Sequence, residues 1–432
     1  QALVASLDAL PDAGTTAPPA HSTVVRRATM GSVGDVLPHL MVKGAARARA
    51  RRNTDGTDAN HRGYDDVMAA LGVNIPRYDI ATFNMEAPVA DENLLPHVRL
   101  RFHADPPMPK ALSKVGFDIA VCANNHAFDQ GNDGVRQSVR NLRAAGLRTV
   151  GCGASFEEAA EPLVVDVNGI RIAIISFARI LNAYNPARRE HPEDPQVLFW
   201  YPEDPIGREV LDVVRRTRVR SDVDIVVVNA HWDREYVPTP HSTTRALARV
   251  LVDEGVDLIV GHHPHILQPA EWMTGRDGRR SAVIYSLGNF VSEMCASRQP
   301  LDLCDRRLSA ISVATFEKRG DEPARLADLT FEPAWMDHRA LCPGETEART
   351  GCVRPVVVSE EIARLEQAIA TAGATAPEAL VREHRGFILR RDAISRFMGP
   401  HPEGQSPSSP YIGIDADVVA NSVHGPRRPF RD

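Results

Sequence analysis

The sequence predicts an α/β fold, and three observations carry that reading. Between Ala28 and about Met336, short β-branched runs alternate with amphipathic helical stretches across polar turns. Five of the β runs end on side chains able to bind metal, as strand ends do where an α/β sheet builds its site. The chain has 432 residues, 43% hydrophobic and 25% charged, a composition that can bury a large core. One large domain with flanking segments is expected: 1–27 as an N-terminal linker, 28–336 as the domain, and 337–432 as a C-terminal appendage of helices with a Pro/Gly/Ser-rich tail.

In chain order, QALVASLDALPDAGTTAPPAHST is rich in Ala, Pro, Thr and Ser, a composition that suits a linker left by a removed leader; an arbitrary cut would leave the same start. The β runs are Ala28 to Val36, Tyr78 to Glu86, Phe117 to His126, Leu147 to Gly153, Pro162 to Ala178, Val223 to Trp232, Val256 to His265 and Ser281 to Phe290. Asn168-Gly169 splits the fifth into a hairpin, because both residues tolerate positive φ in a tight turn. Helices are expected over Asp133 to Ala145 and Thr243 to Glu254. The stretch Lys43 to Arg62, with Arg47, Arg49, Arg51 and Arg52, reads as a helix end running into a polar loop; its arginines suit a solvated face or a phosphate. Beyond about Pro355, helices are expected over Ser359 to Ala372 and from Pro377 to about Glu383, with the tail from Gly399.

Fifty basic and 56 acidic side chains give a formal charge of −6, which argues against a nucleic-acid partner. No run reaches the ~18–20 apolar residues of a membrane span. Cys295 with Cys304 and Cys342 with Cys352 have the spacing of loop-bridging disulfides, whereas Cys122 and Cys152 sit in apolar runs and read as plain core residues. Six free thiols in a cytoplasmic protein is the alternative. The cysteine pairs and the linker together favour an extracytoplasmic, secreted or surface-associated protein, with a cytoplasmic one left open.

The candidate metal ligands are Asp35, Glu86, Asn125, His231, His263 and His265, with His126 beside Asn125. Any one of them alone reads as a turn former or a cap; a shared crevice at strand ends explains the whole set. Carboxylate, amide and imidazole donors suit Mn, Fe or Zn better than calcium. They are too numerous for one tetrahedral shell. Two ions roughly 3.5–4 Å apart would use them all, activating water and clamping a transferring phosphoryl group.

The strings VGDVLPH, FNMEAP, ANNHAFDQG, AHWDREY, GHHPHILQPAE and YSLGNF, in that order, resemble the CapA family of bacterial capsule and poly-γ-glutamate synthesis proteins, a branch of the calcineurin-like metallophosphoesterases. The resemblance covers about Ala28 to Glu293. It implies a four-layer α/β/β/α sandwich with a two-metal site on one edge. It also implies Asp35 on the first metal, Glu86 as the bridge, Asn125 and His231 on the second, and one ligand to each ion from His263 and His265. His126 matches the histidine that in phosphoesterases stabilises or protonates the leaving group. The sequence departs from the phosphoesterase D-x-H, since Leu37 stands two places after Asp35 and His39 is only a distant substitute. Glu235, Glu271 and Asn289 are further candidates for supporting the ligands, with surface or turn roles as the alternatives. Asp129 reads as a brace of the turn after His126, and His241 and His262 as surface or packing histidines. Asp233, where many members have glycine, has no assigned role.

The function expected from the resemblance is a metal-dependent phosphoesterase-type hydrolase in capsule or poly-γ-glutamate synthesis or processing. Its substrate would be an anionic polymer, peptide or phosphoester. The alternatives are a metal-dependent epimerase acting on a peptide α-carbon and a non-catalytic accessory subunit of a membrane-bound polymer synthase.

Overall fold

A computed structural model of the chain describes residues 24–50, 63–72, 74–96, 98, 100–294, 305–339 and 352–405. Two sheets pack face to face with helices on their outer sides, the expected four-layer α/β/β/α arrangement. The first sheet has the order Cys352–Val357, Arg325–Arg339, Leu308–Arg319, Val25–Val36, Ile80–Met85, Ile119–Val121 and Arg148–Val150, with Asn289–Val291 paired to the end of Val25–Val36. The second runs His401–Pro402, Leu267–Thr274, Arg280–Leu287, Leu258–His262, Ile225–His231, Ile170–Ala178 and Leu163–Val167.

Strand sequence explains the layering. In Ile225–His231 every residue is buried: Ile225 and Val227 join the core between the sheets, while Val226 and Val228 join the cluster of helices Arg208–Arg218 and Ser242–Asp253. A strand covered on both faces needs apolar residues at successive positions, which is what this run supplies. On the other side, Ala81 and Phe83 pack with Val42, Val67 and Met108 of the helices outside the first sheet.

The central strands of both sheets are parallel: Val25–Val36, Ile80–Met85, Ile119–Val121 and Arg148–Val150 in one, and Ile170–Ala178, Ile225–His231, Leu258–His262 and Arg280–Leu287 in the other. Their carboxyl ends therefore share one edge, and register places Asp35 beside both Asn84 and Asn289, and His231 beside His262. The opposite edge is closed by ions. Asp224 accepts from the Arg171 backbone N–H at 2.9 Å and from its Nε at 3.1 Å in the second sheet, and from Lys318 Nζ at 2.6 Å in the first.

The hairpin falls on Asn168 and Gly169, with φ of 54° and 76°. The expected helices appear as Gly131–Ala144 and Ser242–Asp253. Three expectations need correction. The first strand starts at Val25, inside the expected linker. The segment expected as an appendage is integral: Cys352–Val357 and His401–Pro402 each form the edge of a sheet, and Ile362, Leu365, Phe387, Ile394 and Phe397 belong to the core between the sheets. Its second helix, Glu378–Met398, extends well past Glu383, because burying Phe387, Ile394 and Phe397 outweighs the roughly 1 kcal/mol that Gly386 costs inside a helix. The segment 51–62 lies outside the described residues.

Burial pushes Asp224 up, but hydrogen bonds from Arg171 and Lys318 outweigh it and hold the carboxyl well below its usual range. A depressed folded-state value contributes stability above the unfolded value of about 3.9, lost as the pH falls through the folded one. Asp224→Asn should therefore cost about 1–3 kcal/mol in urea unfolding at pH 7, and the gap from the parent should narrow below pH ~4. A gap independent of pH would show that the ion cluster is not its source.

Candidate metal centre

The centre forms where the parallel strands end. Asp35 closes the strand Val25–Val36 because the chain there comes very close to its neighbour: the Asp35 N–H donates to Gly288 O at 2.9 Å, and a Cβ on Gly34 would stand 1.9 Å from that oxygen. Glu86 follows Ile80–Met85, Asn125 and His126 lie on the turn after Ile119–Val121, and His231 ends Ile225–His231. His263 and His265 flank Pro264 with φ of 97° and 58°. That backbone, unusual for side chains other than glycine, turns both imidazoles toward the carboxylates.

All six candidate ligands are brought together, each at most 4% exposed. Glu86, His263 and His265 offer ligand atoms that all lie within 4.8 Å of one another. Glu86 Oε1 is 3.6 Å from both His231 Nε2 and His265 Nε2. His231 Nε2 is 3.0 Å from Asn125 Oδ1, and the Asp35 carboxylate lies against the other edge of His265, with Oδ2 3.2 Å from Nδ1. Neighbouring ligands on one ion with ~2.0–2.2 Å bonds stand roughly 3.0–3.5 Å apart.

Orphaned atoms test whether cations fit. Among the described residues Glu86 Oε1, Glu86 Oε2 and His263 Nδ1 are buried with no hydrogen-bond partner. A buried carboxylate without donors is costly unless a cation meets it, so the donor set fits divalent metal. Burial, and next the charge of Asp35, push the Glu86 carboxyl well above its usual range. Burial also raises Asp35, but hydrogen bonds from His262 and His265 outweigh it and hold Asp35 well below. Burial lowers His231 well below its ordinary value and His263 to about 3, leaving neutral imidazoles that are competent ligands.

Supporting contacts fix the tautomers. The Asn289 amide N–H groups donate to His265 O and Arg306 O, each at 3.1 Å, so its Oδ1 accepts from His265 Nδ1–H at 3.0 Å and frees Nε2 to face Glu86. His126 Nδ1–H donates to Asp129 Oδ2 at 2.7 Å; the same oxygen accepts from the Phe102 N–H at 2.7 Å, so Asp129 braces both the turn and the imidazole.

Other candidates fall elsewhere. His39 faces a neighbouring cleft, its Nδ1 accepting from the Glu293 N–H at 3.3 Å, and burial lowers it to about 3. Glu235 is exposed and acts on Tyr236, whose hydroxyl is pushed up to about 12 by burial first and then by Glu235. Glu271, expected as a possible support for a ligand, is buried in the second sheet; it accepts from Arg245, Tyr285 and the Gly404 N–H instead of holding an imidazole. Asp233 has φ of 69°, and its carboxylate accepts from the His241 N–H at 3.0 Å.

Sequence reasoning passed over four residues. Asn84 donates to Asp35 Oδ1 at 2.8 Å and lies 3.4 Å from His231 Nδ1; it stands two places before Glu86, the spacing that puts strand residues on one face. Asn124 donates to Asn84 Oδ1 at 3.2 Å. His262, read as a surface or packing residue, is buried with Nδ1 3.3 Å from Asp35 Oδ1. Asn182 stands 3.4 Å from both ring nitrogens of His126, with no sequence signal of its own.

Cys122 and Cys152, read as plain core residues, are buried and disulfide-bonded, with Cα atoms 5.6 Å apart. The bridge pins the start of the Asn124-Asn125-His126 turn. The expected Cys295–Cys304 and Cys342–Cys352 bridges involve side chains outside the described residues.

Two facing sheets, parallel strand ends on one edge, and buried carboxylates among imidazoles define a sandwich protein with a metal-type centre. The chain belongs to the family described as Bacterial capsule synthesis protein PGA_cap, which matches residues 29–294. The capsule biosynthesis protein CapA of Bacillus anthracis is 30% identical over 271 residues, 61% of this chain and 59% of that protein. The PGA biosynthesis protein CapA of Bacillus subtilis strain 168 is 32% identical over 233 residues, 53% of this chain and 57% of that protein. A probable polyglutamine synthesis accessory protein of Mycobacterium tuberculosis is 28% identical over 223 residues, 50% of this chain and 56% of that protein. The chain thus spans less than two thirds of the length of these relatives. Among solved structures, the NAD nucleotidase NadN of Haemophilus influenzae aligns with a TM-score of 0.40 and 9% identity, covering 86% of this chain and 61% of that chain.

Glu86→Gln should remove bound Mn²⁺ in elemental analysis and abolish the rise in melting temperature that the metal gives the parent protein. A variant that still binds two equivalents would remove Glu86 from the ligand set. Separately, Cys122→Ser/Cys152→Ser should lower unfolding stability by about 3–4 kcal/mol, the chain-entropy value for a loop of about thirty residues. Thiol titration of the unfolded, unreduced parent should find these two sulfurs unreactive.

Proposed function

We propose that the chain is a metal-dependent hydrolase of the phosphoesterase type, acting in capsule or polyglutamate synthesis or processing. The observation that carries this reading is the His126–Asp129 pair beside the donor cluster. With Nδ1–H held by Asp129, His126 keeps Nε2 for a proton, and Asn125, one residue earlier, directs Oδ1 into the donor set. Asn182 joins them, its Oδ1 accepting from Asn125 Nδ2 at 3.4 Å while its own Nδ2 faces His126.

Divalent ions, when bound, polarise a phosphoryl group and activate water. Asp35, Glu86, Asn125, His231, His263 and His265 would hold them. Two carboxylates set against two divalent ions leave the centre with excess positive charge, which favours an anionic substrate. In this reading His126 Nε2–H gives its proton to the departing oxygen, and Asp129 stabilises the imidazolium before that transfer. Leu37, where phosphoesterases carry a histidine, supplies no ligand, so Asp35 leans on His262, His265 and Asn84 for its orientation.

The place in capsule or polyglutamate synthesis rests on the family and on the printed names of the relatives. The name of the Mycobacterium tuberculosis relative favours a second reading, an accessory subunit of a polymer synthase in which the metals serve structure. An extracytoplasmic site of action is part of the proposal, supported by the Cys122–Cys152 bridge, since such bonds persist in oxidising surroundings.

The metal-loaded protein should cleave a chromogenic phosphodiester or monoester with added Mn²⁺. His126→Ala should retain the metal and lose roughly 10²–10⁴-fold in kcat. Full metal content with no cleavage of either ester would favour the accessory reading, and exchange of deuterium into a peptide α-carbon would favour an epimerase.

A further inference from the structure

Left-handed backbone gathers at one edge of the candidate centre. Among the described residues six other than glycine have φ in that region, and four of them, Asp233, Tyr236, His263 and His265, lie on the two loops that follow the strands Ile225–His231 and Leu258–His262. At His263 and His265 the strain aims candidate ligands. Tyr236 is not one of the six ligand candidates, yet its φ of 62° is as unusual for a bulky side chain.

Three connections fix the Tyr236 ring against the centre. Its N–H donates to Pro264 O at 2.8 Å, which ties its loop to the turn between the two imidazoles. Its ring centroid lies 5.9 Å from that of His265, with the planes 32° apart. The Arg306 guanidinium stacks on the same tyrosine ring at 3.9 Å, and Arg306 O accepts from Asn289 Nδ2, whose Oδ1 holds His265. Candidate ligand and tyrosine thus share one support. Burial does not offset the strain, since Tyr236 stays 39% exposed. Strain kept at an exposed position beside a polar centre points to a role in function.

The hydroxyl lies within the field of both the centre and its rim. The charge of Glu86, inside the centre, acts on it, and so does that of Glu235, exposed at the surface. A phenol is protonated at neutral pH and donates one hydrogen bond. Held by a rigid loop where charge is handled, such a donor needs no reorganisation to meet a bound oxyanion.

We infer that Tyr236 is a substrate-contacting residue, its hydroxyl donating a hydrogen bond to a non-bridging oxygen of a phosphoryl group held at the centre. Arg306 is its positioning residue, keeping the ring against His265. The choice of a phosphoryl oxygen rests on the phosphoesterase reading; the placement of the donor rests on the strained loop and the shared support.

The test is calorimetric titration of inorganic phosphate into the full chain loaded with Mn²⁺, for the parent and for Tyr236→Phe, which removes one oxygen and keeps the ring. The parent should bind phosphate saturably. Tyr236→Phe should bind it roughly ten- to a hundred-fold more weakly, the factor for a lost hydrogen bond to a charged group, with metal content and melting temperature unchanged. Adding phosphate should change the ultraviolet absorption of tyrosine in the parent and leave that of the variant as it was. Arg306→Gln should weaken phosphate by about two- to five-fold, as loss of an exposed cation–π contact loosens the ring.

A parent that does not bind phosphate, or a Tyr236→Phe variant that binds it as tightly as the parent, would overturn the inference. Weaker binding that comes with lost metal or a lowered melting temperature would show a structural role instead, and a greater loss in Arg306→Gln than in Tyr236→Phe would make the guanidinium the donor. The two proposals fail separately. Ester cleavage with a phosphate affinity indifferent to Tyr236 removes this contact and leaves the hydrolase, while phosphate binding that depends on Tyr236, without ester cleavage, does the reverse.

Discussion

Two carboxylates with no access to water sit at the heart of this molecule, and the surrounding structure is arranged around the charge they carry. Asp35 is met by Asn84, His262, His265 and the His263 N–H, so the protein itself compensates its ionisation. Glu86 receives no such donors among the described residues. Burying an unmet carboxylate costs several kcal/mol, and a chain that keeps one there has reserved it for something other than its own side chains. A divalent cation held there would supply the charge that is missing.

The same logic explains the strained turn between His263 and His265. Left-handed φ at two residues other than glycine costs of order 1–3 kcal/mol each, and an intervening proline restricts the turn further. Stability is spent there on aim. A relaxed turn would point one imidazole away from Glu86, whereas this one brings both to it.

How much of this was legible in the sequence depended on whether the signal was local. Asp35, Glu86, Asn125, His231, His263 and His265 were legible because each ends a β run, and parallel strands end on a common edge. Asn84 was hidden in plain sight, two residues before Glu86 on the same face. The Cys122–Cys152 bridge was not legible, since apolar flanks describe its burial but not the meeting of two strands' ends. The strand CVRPVV was missed because its proline weakens the strand signal, whereas an edge strand tolerates it. Glu271 misled because a carboxylate close in sequence to GHHPH runs down its own strand, away from the histidines, to Arg245 and Tyr285.

The C-terminal segment has a consequence for what counts as the unit of this protein. Recognisable family likeness ends at residue 294, yet the strand Leu308–Arg319 lies directly against Val25–Val36, and the last described strand, His401–Pro402, borders the other sheet. A fragment cut to the likeness would expose the backbone edge of the very strand that carries Asp35, an invitation to pair with another chain. The matched range and the mechanical unit therefore divide this chain at different places. The candidate centre carried by the first part stands on a later stretch that covers both sheets.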